Sequence, residues 1–133
     1  MSTLKTGKVK TTTIADELDT ESTAVTNVIN GSAKAWVNFN GTGTVAIRES
    51  FNVSSVVDTA IGKYTVNLTN AITDANYVIT AGVSDDGSSY NNQMNCQPAP
   101  DFTPTTTVFK LTTGNTISSN SDDFERIFAV IHR

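Results

Sequence analysis

The sequence predicts an all-β protein: a small antiparallel β-sandwich preceded by an extended N-terminal segment. Serine (12), threonine (22) and asparagine (13) make up 47 of the 133 residues, whereas charged residues make up only 17%. Threonine favours strands, and asparagine and serine favour the turns between strands. From Ala33 onward, apolar residues also recur at every second position in short runs that end in turn residues.

The first thirty residues differ from the rest of the chain. They contain no aromatic residue and only scattered large apolar residues, so this segment cannot bury a core of its own. It is either flexible or ordered by packing against other chains. We therefore predict two parts, an N-terminal segment over residues 1–30 and a β-sandwich domain over residues 31–133.

The alternation is clearest at the start of the domain, in the run AKAWVNF at residues 33–39. One face of this strand holds Ala33, Ala35, Val37 and Phe39, and the other holds Lys34, Trp36 and Asn38. The following NGTG predicts a tight hairpin turn, because asparagine and glycine accept the positive φ that such turns require. The run TVAIRESFNV, residues 44–53, is then predicted as the next strand. Its apolar face holds Val45, Ile47, Phe51 and Val53, with Ala46 and Arg48 on the other face.

Later runs continue the pattern and bring the predicted count to six or seven strands. In KYTVNLT the residues predicted to point inward are Tyr64, Val66 and Leu68, and in DANYVITAGVS the residues that alternate are Tyr77, Ile79, Ala81 and Val83. The closing run FERIFAVIHR sets Phe124, Arg126, Phe128 and Val130 against Glu125, Ile127, Ala129 and Ile131. Because both faces of its centre are apolar, this strand is predicted to lie centrally in its sheet or against another subunit.

A long stretch without periodicity, residues 85–105, is predicted as a loop that carries recognition. It is rich in amide side chains, among them Asn95 and Gln97, and it contains two aromatic rings. Amides and exposed rings suit a sugar, which presents many hydroxyls and a CH patch. The candidate ligand-binding residues are Tyr90, Asn91, Asn92, Gln93 and Phe102. The alternative is that the two rings cover the core while the amides satisfy the backbone of the loop.

The sequence offers no catalytic constellation, so we predict a protein that is not an enzyme and has no catalytic residues and no cofactor. Cys96 is the one cysteine and His132 the one histidine, and neither has the partner that nucleophilic catalysis requires. The acidic pairs at 85–86 and 122–123 lack the spacing of a calcium loop, so no metal site is predicted. A glycan depolymerase is disfavoured because no inward-facing pair of carboxylates is evident.

Charge and hydropathy limit the partners. A net charge of -4 argues against nucleic acid, whose phosphates require a basic face. No run approaches the ~20 apolar residues of a membrane span, so no membrane insertion is predicted. The chain also begins without a hydrophobic signal segment, which predicts synthesis in a cytoplasm without conventional export.

Residues 29 to about 80 resemble a module of phage and prophage tail-fibre proteins, especially those of marine and cyanobacterial phages. The resemblance lies in AKAWVNFNGTGTVAIRESFNVSS, residues 33–55, and in GKYTVNLTNAITDANY, residues 62–77. The opening STLKTGKVK is also similar to the lead-in of those proteins. The C-terminal third matches only in layout, with a variable loop, a hydroxyl-rich strand and a closing strand.

The resemblance implies a virion tail-fibre protein, made in the host cytoplasm and assembled into the tail. It implies a homotrimeric adhesin whose β domain contacts a host surface glycan or protein. Residues 1–30 would then form the intertwined or attaching part that meets other tail or virion proteins. A second hypothesis is a structural virion protein that binds no receptor, such as a head fibre, a decoration protein or a tail connector component.

Three side chains are candidates for the subunit interface. Trp36 and Arg48 project away from the predicted core, and tryptophan and arginine are enriched at interfaces. Phe128 lies on the second apolar face of the closing strand. The alternative is that both sheet faces are covered within one chain, with Arg48 paired to Glu49 or Asp58.

Overall fold

The computed structural model describes residues 11–15, 22–84, 94–116 and 120–133. The described residues fall into two compact units that divide between Ser32 and Ala33. The N-terminal unit contains strands β1 (Thr13–Ala15) and β2 (Ser22–Ala24), paired antiparallel, and helix α1 (Val25–Gly31). None of the described residues of this unit is buried, and α1 is far too short to cross a membrane.

The second unit is an antiparallel β-sandwich, which confirms the predicted fold class. In chain order its strands are β3 (Ala33–Asn40), β4 (Ala46–Phe51), β5 (Val53–Ala60), β6 (Lys63–Leu68), β7 (Val78–Ser84), β8 (Met94–Pro98), β9 (Val108–Asn115) and β10 (Arg126–His132). The first sheet has the order β4-β3-β10-β7, and the second sheet has the order β5-β6-β9-β8. Strand β10 is central in the first sheet, as its apolar pattern predicted.

The core forms between the two sheets from the side chains that alternation directs inward. The buried residues contributed by the predicted inward faces are Ala35, Val37, Phe39, Tyr64, Val66 and Leu68. In β10, whose two faces are both apolar in sequence, the buried face is Ile127, Ala129 and Ile131. Phe39 and Tyr64 join the sheets edge to face, with ring centroids 5.1 Å apart. Burying each large apolar side chain of this kind stabilises the fold by about 1.5–3 kcal/mol.

The prediction of one strand over residues 44–53 is wrong, because the chain changes sheets at Asn52. Among the described residues, Asn52 is the single non-glycine with positive φ, at 56°. Asparagine tolerates this left-handed conformation better than most residues. Its Nδ2 donates to the carbonyls of Lys34 (3.1 Å) and Asn70 (3.2 Å), and its Oδ1 accepts the backbone N–H of Asn70 at 2.8 Å. The residue thus ends β4 and starts β5 in the opposite sheet.

The predicted inward position of Phe51 is also wrong, because a β-bulge precedes it. Ile47 lies opposite Phe39, but Glu49 lies opposite Asn38, so Arg48 is the extra residue of β4. An extra residue reverses the face of every residue that follows in the strand. Phe51 therefore lies on the outer face of the first sheet, directly opposite Trp36.

Two further expectations fail near the C-terminus. The predicted loop 85–105 is not structureless throughout, because Met94–Pro98 forms β8 at the edge of the second sheet. Phe124 was grouped with Phe128 on one strand face because the two are four residues apart. It is buried instead, because β10 begins only at Arg126 and the alternation of the strand does not extend back to Phe124. The described residues contain ten strands rather than six or seven, eight of them in the sandwich.

Candidate functional site

The outer faces of the two sheets differ in chemistry, and each presents a candidate site. The first sheet carries aromatic and aliphatic side chains on its outer face. The second sheet carries amides and hydroxyls at the end where β8 and β9 pair. The inner faces of both sheets form the core, so these outer faces are the sheet surfaces open to another molecule.

The first candidate is the aromatic face, which we define as Trp36, Phe51, Phe128 and Val130. The strand register places Phe51, Trp36, Val130 and Thr80 in one row across the four strands. Glu49, Asn38, Phe128 and Gly82 form the next row. Trp36, Phe128 and Phe51 are 37%, 47% and 54% exposed. Three aromatic rings therefore lie uncovered on one side of one sheet.

A groove of about 440 Å³ lies between Trp36 and Phe128 on this face. Its lining is almost entirely apolar and comprises Trp36, Val37, Asn38, Thr80, Phe128, Ala129 and Val130. The Oδ1 atom of Asn38 is buried and has no hydrogen-bond partner among the described residues. A buried acceptor without a partner is destabilising by about 1–3 kcal/mol. The groove thus combines an exposed apolar surface with an unsatisfied polar group.

Arg48 does not line this groove with the other two predicted interface residues. Its Nη1 donates to the carbonyl of Glu125 at 2.7 Å, and its Nη2 lies 3.2 Å from Oε1 of the same residue. The partner of Arg48 within the chain is therefore Glu125, not Glu49 or Asp58. This contact joins the bulge of β4 to the segment that leads into β10. The structure brings Trp36 and Phe128 together and gives Arg48 a separate role.

The second candidate is the polar pocket on the outer side of β8 and β9, with a volume of about 340 Å³. It is lined by Asn95, Gln97, Thr112, Thr113, Gly114, Asn115, Thr116, Asn120 and Ser121. The β8–β9 register places Gln97 opposite Thr112 and Asn95 opposite Gly114. None of the described lining residues is charged or aromatic, so the pocket presents amide and hydroxyl groups.

The wall of the polar pocket is held close to the sheet at Gly114. A Cβ atom on Gly114 would lie 2.4 Å from the carbonyl oxygen of Asn120, so only glycine permits this approach. The backbone N–H of Asn115 donates to the same carbonyl at 2.9 Å. The hydroxyl of Thr113 donates to the carbonyl of Asp122 at 2.6 Å. These contacts fix the segment that begins at Asn120 against the C-terminal end of β9.

The acidic pair at 122–123 has a structural role in the same region. Oδ1 of Asp123 accepts the hydroxyl of Tyr64 at 2.6 Å and the backbone N–H of Gly62 at 2.7 Å. Burial, and secondly the hydrogen bond to Asp123, hold the pKa of Tyr64 well above its usual value of 10.0. In the part of the chain that the structure describes, no three histidine, cysteine or acidic side chains are grouped as metal ligands would be.

Of the predicted ligand-binding residues, Tyr90, Asn91, Asn92 and Gln93 lie outside the described residues, as does the acidic pair 85–86. Phe102 is half-buried, and the Nζ atom of Lys110 lies 4.8 Å from its ring centroid. One face of this ring is therefore occupied by a cation. Lys110 and Thr112 are two residues apart in β9 and therefore lie on the same face of the strand. Phe102, which contacts Lys110, thus lies on the face of β9 that carries the polar pocket.

The sequence placed Asn95 and Gln97 in the predicted recognition loop, but it did not predict the polar pocket, because the pocket is lined by three separate segments. A usable signal existed in MNCQP, where Met94 and Cys96 alternate with Asn95 and Gln97. Met94 and Cys96 pack against the core, whereas the two amides line the pocket. Burial raises the pKa of the Cys96 thiol to about 12, so little reactive thiolate forms at neutral pH. Cys96 and His132 lie in different sheets.

The fold and the two surfaces define a small antiparallel β-sandwich with an aromatic face on one sheet and a polar pocket on the other. Comparisons with protein-family models, with curated proteins and with solved structures found no match for this chain.

Proposed function

We propose that this chain is the tail-fibre protein of a phage virion, a non-enzymatic homotrimeric adhesin whose subunits associate through the aromatic face. The observation that carries the proposal is the exposure of Trp36, Phe51 and Phe128 on one side of the first sheet. Contiguous apolar patches on soluble proteins mark interaction sites, and tryptophan is prominent among the residues that dominate binding energy. The resemblance of residues 29–80 to tail-fibre modules supports the same function.

The partner for this face is a second and a third copy of the chain. Homo-oligomers most often close by rotational symmetry. Around a threefold axis, three aromatic faces pack together and exclude water from the groove between Trp36 and Phe128. Glu49 is the one charged residue in the two rows of the aromatic face described above, and it lies at the edge strand. The centre of the face therefore joins like copies without burying like charges.

The N-terminal unit fits the role of attachment to other virion proteins. Ile14, Val28 and Ile29 are exposed, and α1 buries none of its residues. Apolar side chains that find no core within their own unit gain stability when another chain covers them. Residues 1–30 are accordingly proposed as the part that meets the rest of the tail.

The adhesin is favoured over the structural virion protein by the position of the polar pocket. If the first sheet faces the threefold axis, the second sheet faces outward. The amides and hydroxyls of the pocket then point away from the threefold axis, where a host surface glycan or protein can reach them. A head fibre, a decoration protein or a tail connector component needs no such pocket.

Two measurements test this proposal. Sedimentation equilibrium of the purified chain is expected to give the mass of a trimer, and a monomer at high concentration would overturn the assembly. Incubation with host and non-host cells is expected to give host-selective retention. A trimer that both cell types retain equally and negligibly would identify the structural virion protein instead.

A further inference from the structure

We infer that the polar pocket binds a neutral sugar residue through the side-chain amides of Asn95 and Gln97 and the hydroxyl of Thr112. The inference rests on the proposed adhesin and deepens it by naming the binding site and the chemical class of the ligand. Asn95 and Gln97 belong to the amide-rich loop that the sequence predicts to carry recognition, whereas Thr112 lies outside that loop.

The chemistry of the lining matches a sugar. An amide side chain both donates and accepts hydrogen bonds, and so does a hydroxyl. A pyranose presents adjacent hydroxyls that likewise donate and accept. The described lining holds no charged side chain to compensate a bound ion, and a buried charge without compensation is strongly unfavourable. A neutral polyhydroxylated ligand is therefore the class that the pocket fits.

The groups that would bind are available. The side chains of Asn95, Gln97 and Thr112 make no hydrogen bond within the described part of the chain. They extend from paired strands, so the spacing of their backbone positions is set by the sheet before any ligand arrives. The wall at Asn120 is fixed by its close approach to Gly114. Groups held in position before binding lose less entropy when the ligand binds.

The size of the pocket also fits one sugar residue held weakly. Its volume of about 340 Å³ is at the lower end of the range for small-molecule sites, roughly 300–1,000 Å³. Since no described lining residue is aromatic, the described lining offers no ring for a sugar to stack on. We expect millimolar affinity for a single residue. Three pockets on one trimer would raise the affinity for a surface that carries many copies of the sugar.

Lys63 is a positively charged residue near the pocket that could attract an acidic sugar. It lies opposite Thr112 in the neighbouring strand β6, outside the pocket lining. A ligand held mainly by this ammonium group would be an acidic sugar rather than a neutral one. The comparison of a neutral with an acidic glycoside therefore distinguishes binding in the pocket from attraction to Lys63.

The experiment is a titration of the ¹⁵N-labelled full chain with methyl glycosides of glucose, galactose, mannose, N-acetylglucosamine and glucuronic acid. At least one neutral glycoside is expected to shift the side-chain amide resonances of Asn95 and Gln97 saturably. Thr112→Val and Gln97→Ala are each expected to weaken this binding about fivefold, since each removes hydrogen-bonding groups. Thr65→Val is the matched control, because Thr65 lies in neighbouring β6 and is not in the pocket lining.

The possible outcomes separate the pocket from the assembly, because the mass of each sample is measured in parallel. If the chain is a trimer and no neutral glycoside shifts the amide resonances saturably, the sugar site is overturned and the proposed assembly stands. Binding that survives both pocket substitutions, or binding of glucuronide alone, also overturns it. A monomer that binds a neutral glycoside supports the pocket and overturns the trimer.

Discussion

Phe128 lies directly across the β10–β7 pair from Gly82, and its ring covers that glycine. A Cβ atom on Gly82 would come within 2.5 Å of Cε2 and 2.7 Å of Cζ of the ring. Glycine inside a strand is usually unfavourable because it has no side chain to pack. Here its missing side chain allows the ring to lie against the sheet and to form one wall of the groove beside Trp36.

Gly82→Ala is therefore expected to weaken trimer formation more than it destabilises the fold. The new methyl group displaces the Phe128 ring, which is half-exposed and can rotate away from the sheet. We expect the free energy of unfolding of the monomer to change by less than about 1 kcal/mol. Sedimentation equilibrium and urea unfolding measure the two effects. A normal trimer in this variant would mean that the position of the ring does not matter for association.

Trp36→Ala is expected to separate the subunits while leaving the sandwich folded. Truncating a central interface tryptophan weakens association by about 2 kcal/mol or more. That change lowers the association constant about thirtyfold. The fold is preserved because Trp36 lies outside the core. Sedimentation gives the mass, and circular dichroism checks the strands.

Val57→Ala is the control for this substitution. Val57 is 46% exposed, but it belongs to the second sheet. Losing this side chain is expected to leave the trimer mass unchanged. If both variants assemble like the unmodified chain, the aromatic face is not the subunit interface.

The predictable part of the fold is the part that alternation alone determines. The inward residues of β3 and β6 follow from period 2, since each strand faces the opposing sheet regularly along its length. For β10 the pattern predicted a central strand but not which of its two apolar faces is buried. The two errors in TVAIRESFNV have a different origin. The bulge at Arg48 is defined only by the pairing of β4 with β3. The chain passes from one sheet to the other at Asn52, whose side chain is held by hydrogen bonds with Lys34 and Asn70. Neither cause is local in sequence.

The candidate sites show the same limit. Trp36 and Phe128 were each predicted as subunit-interface residues, but their common groove depends on the pairing of β3 with β10. Phe51 joins them only because the bulge reverses its face. The polar pocket needs Asn120 to approach Gly114, a contact that no periodicity encodes. The sequence pattern therefore predicted individual exposed residues, whereas the strand register determines which of them lie side by side on one surface.

Asn52→Ala is expected to destabilise the sandwich by about 2–3 kcal/mol, from left-handed strain and lost hydrogen bonds together. Asn52→Gly keeps the backbone conformation available and loses only the side-chain contacts with Lys34 and Asn70. We expect it to cost about 1 kcal/mol less than the alanine variant. Urea unfolding of both variants gives the difference. Equal stability of the two would show that backbone strain contributes nothing at this position.

Tyr64→Phe is expected to reduce the free energy of unfolding by about 1–3 kcal/mol at neutral pH, because Asp123 loses a buried donor. Tyr77→Phe is the matched control. The hydroxyl of Tyr77 donates to the carbonyl of Thr105 at 2.9 Å, in a more exposed position. We expect the control to lose less stability. A larger loss in the control would mean that the Tyr64–Asp123 contact does not anchor this end of the sandwich.

The same contact predicts a dependence on alkaline pH. The pKa of Tyr64 is raised in the folded state above its ordinary value of 10.0, first by burial and then by Asp123. A group with a raised folded pKa contributes stability that is complete below the unfolded pKa and is lost as pH rises above it. The unmodified chain is therefore expected to lose stability above about pH 10, by up to about 1.4 kcal/mol per pH unit from this residue.

Burial also raises the pKa of Tyr77, so part of the decline remains in Tyr64→Phe. Urea unfolding between pH 8 and pH 11, run on both chains, is expected to give a shallower decline for the variant. Parallel declines would exclude Tyr64 as the group that titrates.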